Sequence, residues 1–225
     1  GYRVVEKDRL EQTRDHSVLT NPRYEMENPI IGVNLRWYLA NSILRRMVAE
    51  RAEAEKVVFL SIHADSLHPS LRGAMAYIPG ESHVQGTYEK KAEVYLARAE
   101  VRESPAVTLT REEALVAEGL SAELAGSIIG AFQRNELKTH PFQPVRRHVV
   151  REGREWVPAV IRYNKVPSRL LLEICNIGNQ EDRKLLVTRS WRQKAAHSIY
   201  EGIVGFFEQK RAEPAAAGVV AAAGR

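Results

Sequence analysis

The chain has 225 residues, 44% hydrophobic and 27% charged, enough for one ordinary domain with a substantial core and unlike a disordered or collagen-like composition. A single cysteine excludes an internal disulfide framework and every multi-cysteine metal cage, so any metal would need His, Asp or Glu ligands. The net charge of +5 and pI near 9.4 are spread without a dense block, which suits an anionic polymer or an ordinary basic surface and does not demand nucleic acid.

No stretch approaches the ~20 consecutive apolar residues of a membrane span, and the first residues lack both a starting Met and the apolar core of a signal peptide. Gly1-Tyr2-Arg3-Val4-Val5 reads as a strand already under way, so the chain is expected to begin inside a longer product, with an N-terminal strand region missing. Residues 8–30 are polar, with turn signals at Asn21-Pro22 and Asn28-Pro29, and read as a long exposed connection.

Over 33–53, Val33, Trp37, Ala40, Leu44, Met47 and Val48 recur at helical spacing, which predicts an amphipathic helix with its arginines on the solvated face. The run Lys56-Val57-Val58-Phe59-Leu60-Ser61-Ile62 predicts a strand covered on both faces, and a short strand is expected over 73–78 before Pro79-Gly80. Residues 85–137 read as a helical insertion: a helix over 88–103, a capping box at Thr110-Arg111-Glu112-Glu113 opening the next, and a third over 121–135. A hairpin is expected with strands over 146–150 and 156–163, followed by a buried strand over 169–175. A last helix begins near Ser190 and buries Trp191, Ala195, Ile199, Ile203 and Phe206, while 211–225 has the low complexity of a tail or linker. Helices alternating with buried strands predict an α/β fold, a three-layer α/β/α arrangement around a mostly parallel or mixed central sheet, with 1–210 as one domain.

Two residues interrupt the apolar strands in ways that suggest chemistry. At Ser61-Ile62-His63-Ala64-Asp65-Ser66 a strand ends as a His and an Asp appear, and sites in open α/β sheets form at the carboxyl ends of strands. In Leu170-Leu171-Leu172-Glu173-Ile174-Cys175 one carboxylate sits in an apolar strand, which is costly unless it is paired, neutralised or beside a metal. The plain alternatives are a hydrogen-bonded core histidine, and a Glu173 that meets an arginine such as Arg162 or Arg169 or sits at the sheet's rim. The pair also suits a zinc hydrolase in which His63 binds metal and Glu173 handles protons. His16, His68, His83, His140, His148 and His197 show no ligand-like spacing and read as surface or capping residues. A Gly-x-Ser-x-Gly elbow, a phosphate-cradling Gly-rich loop and a dinucleotide fingerprint are all absent, and Cys175 lies in an apolar strand where its pKa should rise.

The segment Phe59-Leu60-Ser61-Ile62-His63-Ala64-Asp65-Ser66 with Arg72-Gly73-Ala74 resembles a signature of zinc-dependent N-acetylmuramoyl-L-alanine amidases. The segments Val157 to Arg162 and Val166 to Glu173 are similar to that family's approach to its catalytic glutamate. Asn179-Gln180-Glu181-Asp182 and Tyr200-Glu201-Gly202-Ile203 are similar to the family's segments after that glutamate. Ile174-Cys175-Asn176-Ile177-Gly178-Asn179 departs from the family's usual Val-Gly-Phe-Leu-Ser-Asn. The resemblance implies a Zn2+ cofactor, His63 as the last of three zinc ligands and Glu173 as catalytic acid/base, the other two ligands lying upstream of Gly1. It implies peptidoglycan as substrate, hydrolysis of the bond between N-acetylmuramic acid and L-alanine, and a periplasmic or extracellular location. An activator protein that displaces a blocking helix within 88–135 is a further expectation by the same likeness. The alternatives are a noncatalytic peptidoglycan-binding or regulatory homologue that lost its metal, and a zinc peptidase acting on free peptides. A nucleic-acid partner is not expected, because Arg146-Arg147-His148 is a short cluster without interleaved aromatics.

Overall fold

The computed structural model describes the backbone of residues 16–222 and the side chains of residues 16–212; the strand expected at Gly1-Tyr2-Arg3-Val4-Val5 lies outside them. A short antiparallel pair, β1 (Ser17–Val18) and β2 (Tyr24–Glu25), precedes helix α1 (Pro29–Ala49). The helix starts four residues before the expected Val33. Asn28-Pro29, a turn signal in the sequence, is its cap: the Asn28 side chain accepts from Ile30 N and Pro29 takes the first turn, where a missing N–H costs nothing. The helix also ends before Glu53, because Arg51 takes a positive φ of 72°.

Strands β3 (Val58–Asp65) and β4 (Met75–Tyr77) come next. The expected helix over 88–103 is instead several pieces: helix α2 (Glu81–Val84), strand β5 (Gly86–Glu89), helices α3 (Glu93–Leu96) and α4 (Ala99–Glu103), and strand β6 (Ala106–Leu109). Thr87 and Tyr88 are held in the antiparallel β5–β6 ladder, which overrides the helical spacing of Ala92, Tyr95, Leu96 and Ala99. The capping box at Thr110 and Glu113 opens one continuous helix, α5 (Arg111–Arg134), rather than two.

Beyond α5 lie β7 (Val145–Arg146) and the hairpin of β8 (Val149–Arg151) and β9 (Arg154–Trp156), with Glu152 and Gly153 at positive φ in the turn. The hairpin is shorter than expected, since Pro158 stops the second strand and caps helix α6 (Ala159–Arg162). Strand β10 (Ser168–Asn176), helix α7 (Gln180–Leu186) and helix α8 (Arg189–Ala222) complete the chain, α8 carrying its backbone into the alanine-rich stretch read as tail or linker.

The central sheet has four strands in the order β3-β10-β4-β7, with β10 parallel to β3, antiparallel to β4, and β4 parallel to β7. The fold is therefore α/β with a mixed sheet. Because side chains alternate along a strand, Leu170 and Leu172 of β10 face one side and Leu171 the other. On the first side they join Ala76 of β4, Leu124, Ile128 and Phe132 of α5, and Ala195 and Phe206 of α8 in the main core. On the second side Leu171 packs with Met75, Tyr77, Val160 and Ile161. A further cluster seats Leu35, Trp37 and Tyr38 of α1 against Tyr24, Tyr95, Val101 and Val107. Strand β3 is covered less fully than its apolar run suggests, with Ile62 55% exposed, because it is the end strand of the described sheet.

Helix α5 has the length and composition to cross a membrane, but its apolar stripe is buried on the sheet and on α8. These two helices approach closely at Gly202, where an added Cβ would lie 2.5 Å from Ile128 Cα, and Ser127 Oγ donates to Gly202 O at 2.7 Å. Replacing Gly202 by Leu is expected to force the helices apart and to cost about 3 kcal/mol of stability, read from the urea midpoint. A loss below about 0.5 kcal/mol would show that the crossing tolerates a side chain.

Candidate active site

His63 and Glu173 occupy the carboxyl ends of two parallel neighbouring strands, and the β3–β10 register places them directly opposite each other. Register partners share a sheet face, so both point to the side of Leu171, Met75 and Tyr77. The register shifts just beyond Glu173, between it and Asn176, an irregularity of the kind that ends pairing next to functional sites.

Glu173 is 8% exposed, and its Oε2 has no hydrogen-bond partner. Burial, aided by the negative charge of Asp65, pushes its carboxyl up to about 8, so the acid holds its proton at neutral pH. The plain alternative for this residue, an arginine partner, is not what the side chains do. Arg169 donates from Nε to Ile161 O at 2.7 Å and from Nη1 to Val166 O at 2.9 Å, while Arg162 lies over the rings of Tyr88 and Tyr163.

His63 is half-buried, its Nε2 2.8 Å from Ser61 Oγ, and burial together with Arg36 lowers its pKa against the opposing pull of Asp65. It is therefore neutral at pH 7, the form that ligates metal. Asp65 acts on both groups, although its position two residues after His63 gives it no role by sequence alone.

Glu173 faces a cleft of about 890 Å³ shared with Asp65, Tyr77, Arg146, His148 and Trp156. His63 lines a neighbouring groove of about 710 Å³ between α1 and β3, whose walls are mostly apolar. The two residues thus stand side by side on the sheet where two cavities adjoin.

The loop after β3 is fixed by two buried side chains. Asp182, at the start of α7, accepts from Arg72 Nε at 2.9 Å, Gly73 N at 2.8 Å and Asn176 N at 3.0 Å. Asn176 accepts from Leu67 N at 2.9 Å and donates to His68 O at 3.1 Å and Leu71 O at 2.7 Å. Gly73 is obligatory here: its φ is +92°, and a Cβ would meet the backbone of Lys138.

The long helix of the 85–137 stretch does not cover this site. Its buried residues Leu124, Ile128 and Phe132 pack on the opposite sheet face, so α5 is part of the core rather than a removable plug.

Among the described residues, one three-ligand cluster has the spacing of a metal site, and it includes neither His63 nor Glu173: His83, His148 and Glu155, of which His148 also lines the cleft that Glu173 faces. By sequence, both histidines read as ordinary surface residues. Their numbers lie too far apart for any spacing rule, and only the closure of α2 onto the hairpin brings them together.

The fold and site together define an α/β domain with a proton-holding acid beside a neutral imidazole at the sheet's carboxyl edge. The family described as N-acetylmuramoyl-L-alanine amidase matches residues 33–204, and the chain belongs to that family. An uncharacterized cell wall amidase of Bacillus anthracis is 43% identical over 51 residues, 23% of this chain and 9% of that protein. Among solved structures, the amidase Ami1 of Mycobacterium smegmatis is 18% identical with a TM-score of 0.48, covering 75% of this chain and 61% of that one. The amidase CwlD of Clostridioides difficile, solved with the GerS lipoprotein, is 18% identical with a TM-score of 0.44, covering 73% and 60%. The chain therefore spans less than two thirds of the length of these relatives.

Proposed function

We propose that the protein hydrolyses the amide bond between N-acetylmuramic acid and L-alanine in peptidoglycan, with Glu173 as acid/base and His63 as a ligand of a catalytic zinc. The observation that carries this reading is the buried, unpartnered and proton-holding Glu173 set in register with a neutral His63. Membership of the amidase family supports the choice of bond.

An imidazole held neutral and a carboxylate oxygen left without a donor fit a cation between or beside them. His63 supplies one of the three protein ligands usual in a catalytic zinc site, and the others come from outside the described residues. A zinc ion bound there would polarise the substrate carbonyl and lower the pKa of its water to about 7. Beside a cation the Glu173 carboxyl loses its proton. As a carboxylate it takes a proton from the attacking water and returns it to the departing L-alanine amine, leaving glycan and free stem peptide. The cleft lined by Arg146 and Arg151 suits a substrate bearing carboxylates. A protein acting on peptidoglycan would work in the cell envelope, and α5, packed in the core, has no blocking role in this scheme.

The test is bound zinc and peptide release from purified peptidoglycan, measured on the full-length gene product. His63→Ala is expected to lose one bound zinc and to reduce peptide release by at least about 10³-fold. A His63→Ala protein that keeps both its full zinc content and its activity overturns the assignment.

A further inference from the structure

We propose that His83, His148 and Glu155 form a second metal site, one that takes Zn2+ or a similar divalent transition ion and clamps the β8–β9 hairpin to α2. The three side chains come from separate places: His83 from α2, His148 from the link between β7 and β8, and Glu155 from β9. Their ligand atoms all lie within 4.8 Å of one another. His83 Nε2 is 3.3 Å from Glu155 Oε2, and His148 Nε2 is 3.6 Å from Glu155 Oε1.

Each imidazole nitrogen thus stands near one of the two Glu155 carboxylate oxygens, at a separation close to that between neighbouring ligands of a tetrahedral ion. With Zn–N and Zn–O bonds of about 2.1 Å, two ligands at the tetrahedral angle stand about 3.4 Å apart. The imidazoles lie 5.1 Å apart between ring centres at 37°, so both nitrogens can turn toward one point above the carboxylate. The other nitrogen of His83, Nδ1, is 2.9 Å from Ser82 Oγ. A hydrogen bond there orients the ring and leaves Nε2 to the metal, the usual outer support of a histidine ligand.

Both imidazoles are partly sheltered, with side-chain exposures of 21% and 32%, whereas Glu155 at 54% leaves an approach from solvent. Two nitrogen donors and one carboxylate select zinc and its transition-metal neighbours over magnesium or calcium, which prefer all-oxygen shells. Three protein ligands leave one position for water.

The site's place gives it a task. His148 and Trp156, the residue after Glu155, line the same cleft as Glu173. An ion joining His83 to His148 and Glu155 would tie that wall of the cleft to α2 and hold the hairpin in one position, independently of any metal at His63.

The experiment uses the 225-residue chain with Co2+ as probe, followed by its visible d–d absorption and by thermal melting. One tightly bound Co2+ per chain is expected, its band lost in His83→Gln and again in His148→Gln but kept in His63→Ala. Saturating Zn2+ should raise the melting temperature of the unsubstituted chain by roughly 5 °C and that of neither glutamine variant. Both substituted positions are partly exposed, and circular dichroism checks that the variants fold. Co2+ binding that survives both glutamine substitutions, or that disappears only with His63→Ala, or no binding at all, overturns the proposal. Since none of these readouts is peptide release, the second site stands or falls separately from the amidase reading.

Discussion

Replacing Glu173 by Gln should lower peptide release by about 10³-fold while making the metal-free chain more stable at alkaline pH. The two effects share one cause. A carboxyl raised from its usual 4.5 to about 8 keeps in the native state a proton that the unfolded chain has already released. Its contribution is therefore intact below about pH 4.5 and declines as pH rises toward 8, because in that window the native state binds more protons than the unfolded one. Gln has the same shape and no charge to bury, so the two proteins should diverge across that window, by up to about 5 kcal/mol above pH 8. Urea melts in the presence of a chelator at pH 5 and pH 8 measure the difference. Equal stabilities at pH 8 would mean that Glu173 finds a partner or solvent, and the case for a poised acid would fail with them. Such a cost in stability is what a residue kept for chemistry would carry.

Asp182→Ala is expected to cost about 3–5 kcal/mol of stability and roughly 10 °C in melting temperature. The carboxylate is buried and accepts three hydrogen bonds, two from backbone N–H groups and one from Arg72. Asp182→Asn should be milder, since the amide oxygen can keep some of those bonds while its NH2 must face donors. The loss should not be confined to stability. The loop from Ser66 to Gly73 continues directly from the strand that carries His63, so releasing it loosens the carboxyl end of β3. A melting temperature within about 2 °C of the unsubstituted chain would show that the bonds to Asp182 are replaced by water.

Structure is legible in this sequence where local pattern and tertiary need agree. The β3 and β10 strands are readable because β-branched and aliphatic runs of that length have few other uses, and their two interruptions, His63 and Glu173, are register partners in the folded chain. The capping box of α5 is readable because both of its hydrogen bonds are local. Boundaries fail where a tertiary partner decides them. Tyr88 carries a helical spacing yet lies in a ladder with Val107, and its ring meets that of Tyr163, a contact with no signature in the sequence around it. Asn28 reads as a turn because an Asn-Pro pair serves equally as a turn and as the start of a helix. The His83, His148 and Glu155 cluster is invisible for a different reason: it is assembled by three elements that are distant in the chain, and each residue alone is ordinary. Arg72, Gly73, Asn179 and Asp182 stand out in the sequence only through resemblance. The fold joins three of them, Arg72, Gly73 and Asp182, in one hydrogen-bonded knot, and Asn179 caps the helix that presents Asp182.

Cys175 lies buried in β10, and its surroundings, first burial and then the charges of Asp182 and Glu173, push its thiol up to about 12. At neutral pH almost none of it is thiolate, so it should neither oxidise readily nor react with maleimides while the chain is folded. The chain therefore already serves as a background without a reactive thiol. A cysteine placed at exposed Val150, on the hairpin beside the cleft, would be the one reactive thiol, ready to carry a fluorophore or spin label that reports how that wall moves. Slow labelling of the unmodified chain would in turn count the moments when β10 opens, a clock for unfolding built into the strand that holds Glu173.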